Sequence, residues 1–293
     1  IEAKFTIIPS ADDANDLLAA LIADAGFESF DSNGEHLLAY AQTSLFNETE
    51  LRHLIEEFPM TDVTISYTLS DVEDQNWNAT WEQEGFQPIT IGNECIIYDA
   101  RHPITPEQLP KDKNSNATLL IAIETHQAFG TGTHQTTQMI VGRLLHLQLS
   151  GKRLLDCGCG TGILSIVAAK CGATDIVGYD IDEWSVRNTQ HNATLNGVSE
   201  QITIMEGDSS VLSHVNGLFD VVVANINRNI LLADIPHFAD VMQPHGHLIL
   251  SGFYEDDAPL LIEEATKYRL VELCRNVTDG WTCLEFVRMM TDK

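Results

Sequence analysis

Apolar and polar positions follow two regimes along the 293 residues. In the first seventy the period keeps switching between 2 and 3.6. Phe5 to Ile8 read as a strand. Ser10 is placed to cap a helix, with Asp12 and Asp13 in its first turn, where the macrodipole favours negative charge. Leu17, Leu18, Leu21 and Ile22 form its apolar stripe, and Gly26 is its stop. Phe27–Phe30 and Leu37–Tyr40 flank Ser32-Asn33-Gly34, a hairpin signal. Leu51, Leu54, Ile55 and Phe58 recur at helical spacing, and Val63, Ile65, Tyr67 and Leu69 alternate as a last strand. The order β-α-β-β-α-β is a ferredoxin-like pattern.

The second regime begins after a connector. Asp71 to Gly85 is acidic and carries Trp77 and Trp81, which pin it to a core. Phe86–Ile91 and Cys95–Tyr98 flank Gly92-Asn93, a second hairpin signal. Pro103, Pro106 and Pro110, followed by Lys111 to Asn116, mark a boundary. Strand patterns then recur at Leu119–Ile123, Arg153–Asp156, Ile176–Asp180, Ile202–Glu206, Val221–Asn225, His247–Ser251, Val271–Val277 and Cys283–Val287. Helical patterns separate most of them, which predicts a parallel sheet covered on both faces. Only Thr278-Asp279-Gly280 and neighbours separate the last two, too few for a parallel crossover, so they form an antiparallel hairpin. The expected architecture is a small α+β domain over 1–70, a connector and hairpin over 71–116, and an α/β domain over 117–293 with a Rossmann-like mixed sheet.

Charge narrows the partners. There are 43 acidic against 16 Lys and Arg residues, a net of −27. Such a surface repels phosphate, so direct nucleic-acid binding is not expected. Ferredoxin-like modules that bind RNA use basic and aromatic strand faces. Residues 1–114 hold 22 acidic and 5 basic residues, so this module reads as a protein-docking unit. No apolar run approaches the roughly 20 residues of a membrane span. Ile1 to Lys4 do not look like a secretion signal, and six cysteines without C-x-x-C spacing suit a reducing cytoplasm. Cys157 and Cys159 read as buried fillers, with no metal expected.

The chemistry gathers at strand ends. Asp156-Cys157-Gly158-Cys159-Gly160-Thr161-Gly162 follows a strand and opens a helix. A dinucleotide turn has G-x-G-x-x-G; here the pattern is G-x-G-x-G, and no P-loop occurs, which disfavours a nicotinamide-dependent oxidoreductase. Asp180 ends the next strand, 22 residues after Gly158, where a carboxylate accepts both hydroxyls of a ribose; Asp182 fits a helix cap better. Gly207-Asp208 ends the following strand, as a turn or beside an adenine. Asn225 closes the apolar run Val221–Ala224 and points into the same crevice.

The D-x-G-x-G-x-G turn, the acidic second strand end and the terminal hairpin resemble a class I S-adenosylmethionine-dependent methyltransferase. Ala128-Phe129-Gly130-Thr131-Gly132-Thr133-His134-Gln135-Thr136-Thr137 is more specific. It resembles the PrmA family, methyltransferases of ribosomal large-subunit protein eleven, and the resemblance spans the chain. It implies S-adenosylmethionine as cofactor and a basic ribosomal protein as substrate, methylated on lysine or N-terminal amines. Another protein or a small-molecule amine is the alternative acceptor. By position, cofactor contacts fall on Thr137, Gly158, Asp180 and Asn225, and Phe129 with the loop to His134 forms a lid against water. His134 invites a role as base but reads as structural, and no side chain stands out as the general base. Two stretches depart from the family: Glu124-Thr125-His126-Gln127 replaces Asp-Pro-Gly-Leu, and Asn227-Arg228 replaces Leu-Ala, which puts the lip of the pocket in doubt.

Overall fold

The computed structural model describes residues 1–8, 14, 18, 21–22, 25–32, 36–41, 46–56, 58–60, 63–70, 85–105, 118–125, 130 and 132–290. The expectations for Ser10, Asp12, Asp13, Leu17, Asn33, Gly34, Trp77, Trp81, Ala128, Phe129, Thr131 and Lys111–Asn116 fall outside them. Two compact units divide the chain at Trp77 and Asn78.

In the first unit, β1 (Glu2–Ile8), β2 (Phe27–Ser32), β3 (Leu37–Ala41) and β4 (Thr64–Ser70) form one antiparallel sheet in the order β2-β3-β1-β4. That order, with Ala14, Leu18, Leu21 and Ile22 helical and α1 (Glu48–Glu56) before the last strand, is the ferredoxin-like arrangement. Alternation explains its core. Ala3, Phe5 and Ile7 of β1 are buried beside Leu18, Ile22, Leu37, Ala39 and Leu51, while Lys4 faces out. Asn47 caps α1, its Oδ1 accepting the amides of Thr49 and Glu50 at 3.1 Å each.

Among its described residues the second unit holds two sheets. β5 (Ile89–Ile91) and β6 (Cys95–Asp99) form the antiparallel hairpin expected around Gly92-Asn93. β7 (Leu119–Ile123) corrects an expectation: it pairs parallel with β6 and completes a three-stranded sheet of its own, outside the large one. Its edge is occupied by side chains instead of a strand, as described below.

The large sheet has seven strands: β8 (Arg153–Cys157), β9 (Asp175–Asp180), β10 (Ile202–Glu206), β11 (Phe219–Asn225), β12 (Met242–Tyr254), β13 (Leu270–Thr278) and β14 (Trp281–Arg288). The order is β10-β9-β8-β11-β12-β14-β13; the first five are parallel, and β14 runs antiparallel to both neighbours. Asp279 (φ 51°) and Gly280 (φ 80°) close the terminal hairpin, a two-residue turn that needs positive φ at both positions. Neighbouring residues of a strand serve opposite faces. Leu154, Val221, Val223 and Ile249 pack under α2 (Gln135–His146) and α3 (Ile163–Lys170). Leu155, Val222, Ala224, Leu248 and Leu250 pack under α5 (Arg228–Val241) and α6 (Ala258–Lys267), with α4 (Glu183–Leu195) lying between β9 and β10 in sequence. Every residue of α3 from Ile163 to Ala169 is buried, which explains why all but Ser165, bonded to Asp156, are apolar.

Candidate functional site at the crest of the parallel sheet

Because β8, β9, β10 and β11 run parallel, their last residues share one edge, and the strand-end residues meet there. Cys157 is in register with both Tyr179 and Ala224, so Gly158 and Asn225 each stand one residue past a shared rung.

The glycine turn is held by β9. The amides of Gly158 and Cys159 both donate to the Tyr179 carbonyl, at 2.9 and 3.1 Å, and the Gly160 amide donates to Asp180 Oδ2 at 2.9 Å. Gly158 has φ +70°, and a Cβ there would lie 2.5 Å from Ile226 Cγ2. Only glycine combines that backbone with so close an approach. Asp156, just before the turn, is fully buried, and its Oδ2 accepts from the Ser165 amide (3.1 Å) and hydroxyl (2.6 Å), tying the strand to α3. Its Oδ1 has no partner among the described residues. Burial pushes its pKa up to about 6, opposed by the Ser165 bonds.

Asp180 accepts a second amide, that of Asp182, on Oδ1 at 3.1 Å. Asp182 is the N-cap of α4, as expected, accepting from Ser185. Ile181, next to Asp180, is 74% exposed over the edge. Asp208 accepts the Ser210 amide at 2.9 Å, the bond of a turn cap, and hydrogen bonds from the Ser210 hydroxyl and amide lower its pKa.

Thr137 lies in the first turn of α2, almost fully buried, and Asn225 Nδ2 donates to its Oγ1 at 3.2 Å. Two of the sequence-predicted residues, 88 positions apart, are therefore in direct contact. Gly158 and Asp180 are joined through the turn. His134 is the N-cap of α2: its Nδ1 accepts the Thr136 amide at 3.3 Å, which occupies that lone pair in capping. Its ring meets the edge of Trp281 at 4.6 Å, and Trp281 stacks on Tyr254 at 4.1 Å. Of the residues at the lip, Asn227 caps α5 through the Ile230 amide, and Arg228 donates to Asp257 Oδ1 at 2.6 Å.

Some residues at this edge have no reading in the sequence above. Thr161 Oγ1 donates to the Gly130 carbonyl at 2.6 Å. On α4, Asn188 and Asn192 donate to the Glu124 carbonyl, and Asn196 brackets Ala122, accepting its amide and donating to its carbonyl. Asparagine is a poor residue for a helix interior, and two of them at Asn188 and Asn192, followed four residues on by Asn196 at the C-cap, are a signal that this helix face is bonded to something. Gly252 of β12 packs on the Ile226 backbone; a Cβ there would be 2.4 Å from the Ile226 carbonyl oxygen.

A family model and the curated relatives agree on one family. The family model described as ribosomal protein L11 methyltransferase (PrmA) matches residues 14–289. A Bacteroides fragilis protein named ribosomal protein L11 methyltransferase is 45% identical over 286 residues, covering 98% of each chain. One of the same name from Bacteroides thetaiotaomicron is 42% identical, covering 97% of this chain and 98% of its own. Among solved structures, the ribosomal protein L11 methylase of Lactobacillus delbrueckii subsp. bulgaricus is 27% identical, with a TM-score of 0.62 over 70% of this chain and 100% of that one.

Proposed function

The chain belongs to the ribosomal protein L11 methyltransferase family, and on that premise we propose that it transfers methyl groups from S-adenosylmethionine to amino groups of ribosomal protein L11, on lysine side chains or the N-terminus. The observation that carries this reading is the Asn225–Thr137 bond at the strand edge that also holds the glycine turn. The residues present suit the cofactor. Gly158, at φ +70° and with Ile226 Cγ2 2.5 Å from where a Cβ would sit, keeps the turn as bare backbone that a ligand can approach. The two amides on Asp180 use two of the roughly four acceptor positions of a carboxylate, which leaves capacity for two ribose hydroxyls.

When bound, S-adenosylmethionine supplies a methyl group on a positively charged sulfur, open to in-line attack. Asp180 holds the ribose, Gly158 lets the backbone approach, and the Thr137 hydroxyl reaches the methionine end. Asn225 commits Nδ2 to Thr137, so Oδ1 is the atom that accepts an N–H of the incoming amine and aims its lone pair. Alignment of this kind supplies most of the rate. The amine must be neutral to attack, and a free lysine titrates near ~10.4. A partly dry pocket lowers that value by disfavouring the ammonium.

A basic substrate is part of this reading. The net charge of −27 supports it, as does an acidic rim of Glu255, Asp256 and Asp279, all exposed, beside the Tyr254–Trp281 stack. The amino-terminal unit docks the substrate, nucleic acid is not bound directly, and the protein works in the cytoplasm. Among the described residues no helix is long and apolar enough to cross a membrane. The test is transfer of isotopically labelled methyl from S-adenosylmethionine to purified L11, read by peptide mass spectrometry. Methyl groups on L11 amines are expected. Label that enters only other proteins would overturn the substrate assignment.

A further inference from the structure

The glycine turn and the start of α2 come from different parts of the chain, yet both must face one cofactor. On the reading that S-adenosylmethionine occupies this crest, we propose that Thr161, between the last two glycines of the turn, is a positioning residue that sets the place of the α2 start against the turn.

Thr161 is fully buried and bonded from both sides. Its hydroxyl donates to the Gly130 carbonyl at 2.6 Å. Its own carbonyl accepts from Asn192 Nδ2 at 2.9 Å. The same Nδ2 donates to the Glu124 carbonyl at 3.0 Å, while Asn192 Oδ1 accepts the Glu124 amide at 2.9 Å. Glu124 directly follows β7, and Gly130 precedes the α2 start. Gly132 closes the seat: a Cβ on it would be 3.0 Å from Ile163 Cδ1, two residues past Thr161. The Gly130 end of the β7-to-α2 connection is thus tied to Thr161 directly, and the Glu124 end through Asn192. The Asn192–Thr161 bond is buried and the other three are half-buried; at Gly130 the lost donor leaves a carbonyl poorly placed to be satisfied by solvent. Thr161 reaches the cofactor only through the position it gives Thr137, so its loss is a loss of fit.

Thr161→Val keeps the shape and removes the donor; Thr161→Ser keeps the donor. Full-length wild type and both variants are titrated with S-adenosylhomocysteine by calorimetry, with melting temperatures measured without ligand. Thr161→Val is expected to weaken binding about tenfold or more, the range for one unsatisfied buried partner. The Michaelis constant for S-adenosylmethionine rises with it, that for L11 stays within about twofold, and Thr161→Ser restores cofactor affinity to within about threefold. If Thr161→Val does not fold, Thr161→Ala provides the same comparison. A variant that melts lower yet binds the ligand as wild type makes Thr161 merely structural and overturns the proposal, as does a serine variant no better than valine. Wild type that fails to bind S-adenosylhomocysteine overturns the cofactor reading itself, and this inference with it.

Discussion

Asp180 uses one oxygen on the Gly160 amide and the other on the Asp182 amide, so it shapes the turn before any ligand is bound. Asp180→Ala removes that anchor together with the proposed ribose acceptor. We expect S-adenosylhomocysteine binding to weaken by roughly 1.5–3 kcal/mol, the range for hydrogen bonds to a charged group. Calorimetry giving wild-type affinity would take Asp180 out of the site. Asp156 behaves differently, because burial raises its pKa to about 6 where a free aspartate titrates near ~3.9. Between those values the folded state holds the proton more tightly than the unfolded chain, so this group's contribution to stability falls as pH rises through them. Asp156→Asn retains an acceptor for Ser165 and cannot ionise. Its melting temperature relative to wild type should therefore become more positive from about pH 4 to about pH 7. A constant difference across that range would mean that the carboxyl does not titrate there.

Among the elements, β12 and β11 must approach closely for their ends to build one edge. Gly252, with φ +98°, makes this possible by letting β12 lie against the Ile226 backbone. Gly252→Ala forces either the strand or the Asn225–Ile226 segment to retreat. A stability loss of about 1–3 kcal/mol is expected in urea unfolding, the usual cost of overpacking. Methyl transfer should fall further than that loss explains, since the displaced backbone carries Asn225. Unaltered stability would show that β12 has room to move. The start of α2 is also tied to the terminal hairpin, because the imidazole of His134 both caps the helix and packs on Trp281.

For the molecule as a whole, net charge and division into units carry the expectations. An enzyme at −27 draws a basic substrate at long range, and salt screens that attraction, with a Debye length of ~10 Å at 0.1 M. Raising ionic strength should raise the Michaelis constant for L11 while leaving that for S-adenosylmethionine little changed. An L11 constant that does not respond to salt would count against electrostatic capture. The first unit has its own core, around Phe5, Leu18 and Leu51. Removing residues 1–77 should abolish methylation of L11 and leave S-adenosylhomocysteine binding intact. A truncated protein that methylates L11 normally would end the docking role.

The period of apolar residues sufficed to locate the strands of both units, because alternation and two-sided burial are local consequences of strand geometry. The Asp279-Gly280 hairpin was readable for the same reason, its backbone demands being written in two adjacent residues. The placement of Gly158, Asp180 and Asn225 along one edge was legible because a parallel sheet brings its strand ends together there. Periodicity says nothing about which strand is the neighbour, and so β7 was grouped with the large sheet although it pairs with β6. Nor does it reveal side chains that bond across long separations: Asn192 meets Glu124 at a distance of 68 residues in the chain, and Thr161 meets Gly130 at 31. Those contacts arise only once α3 and α4 have packed, since the partners are backbone amides and carbonyls that any sequence would supply, and their place in space is decided by the fold.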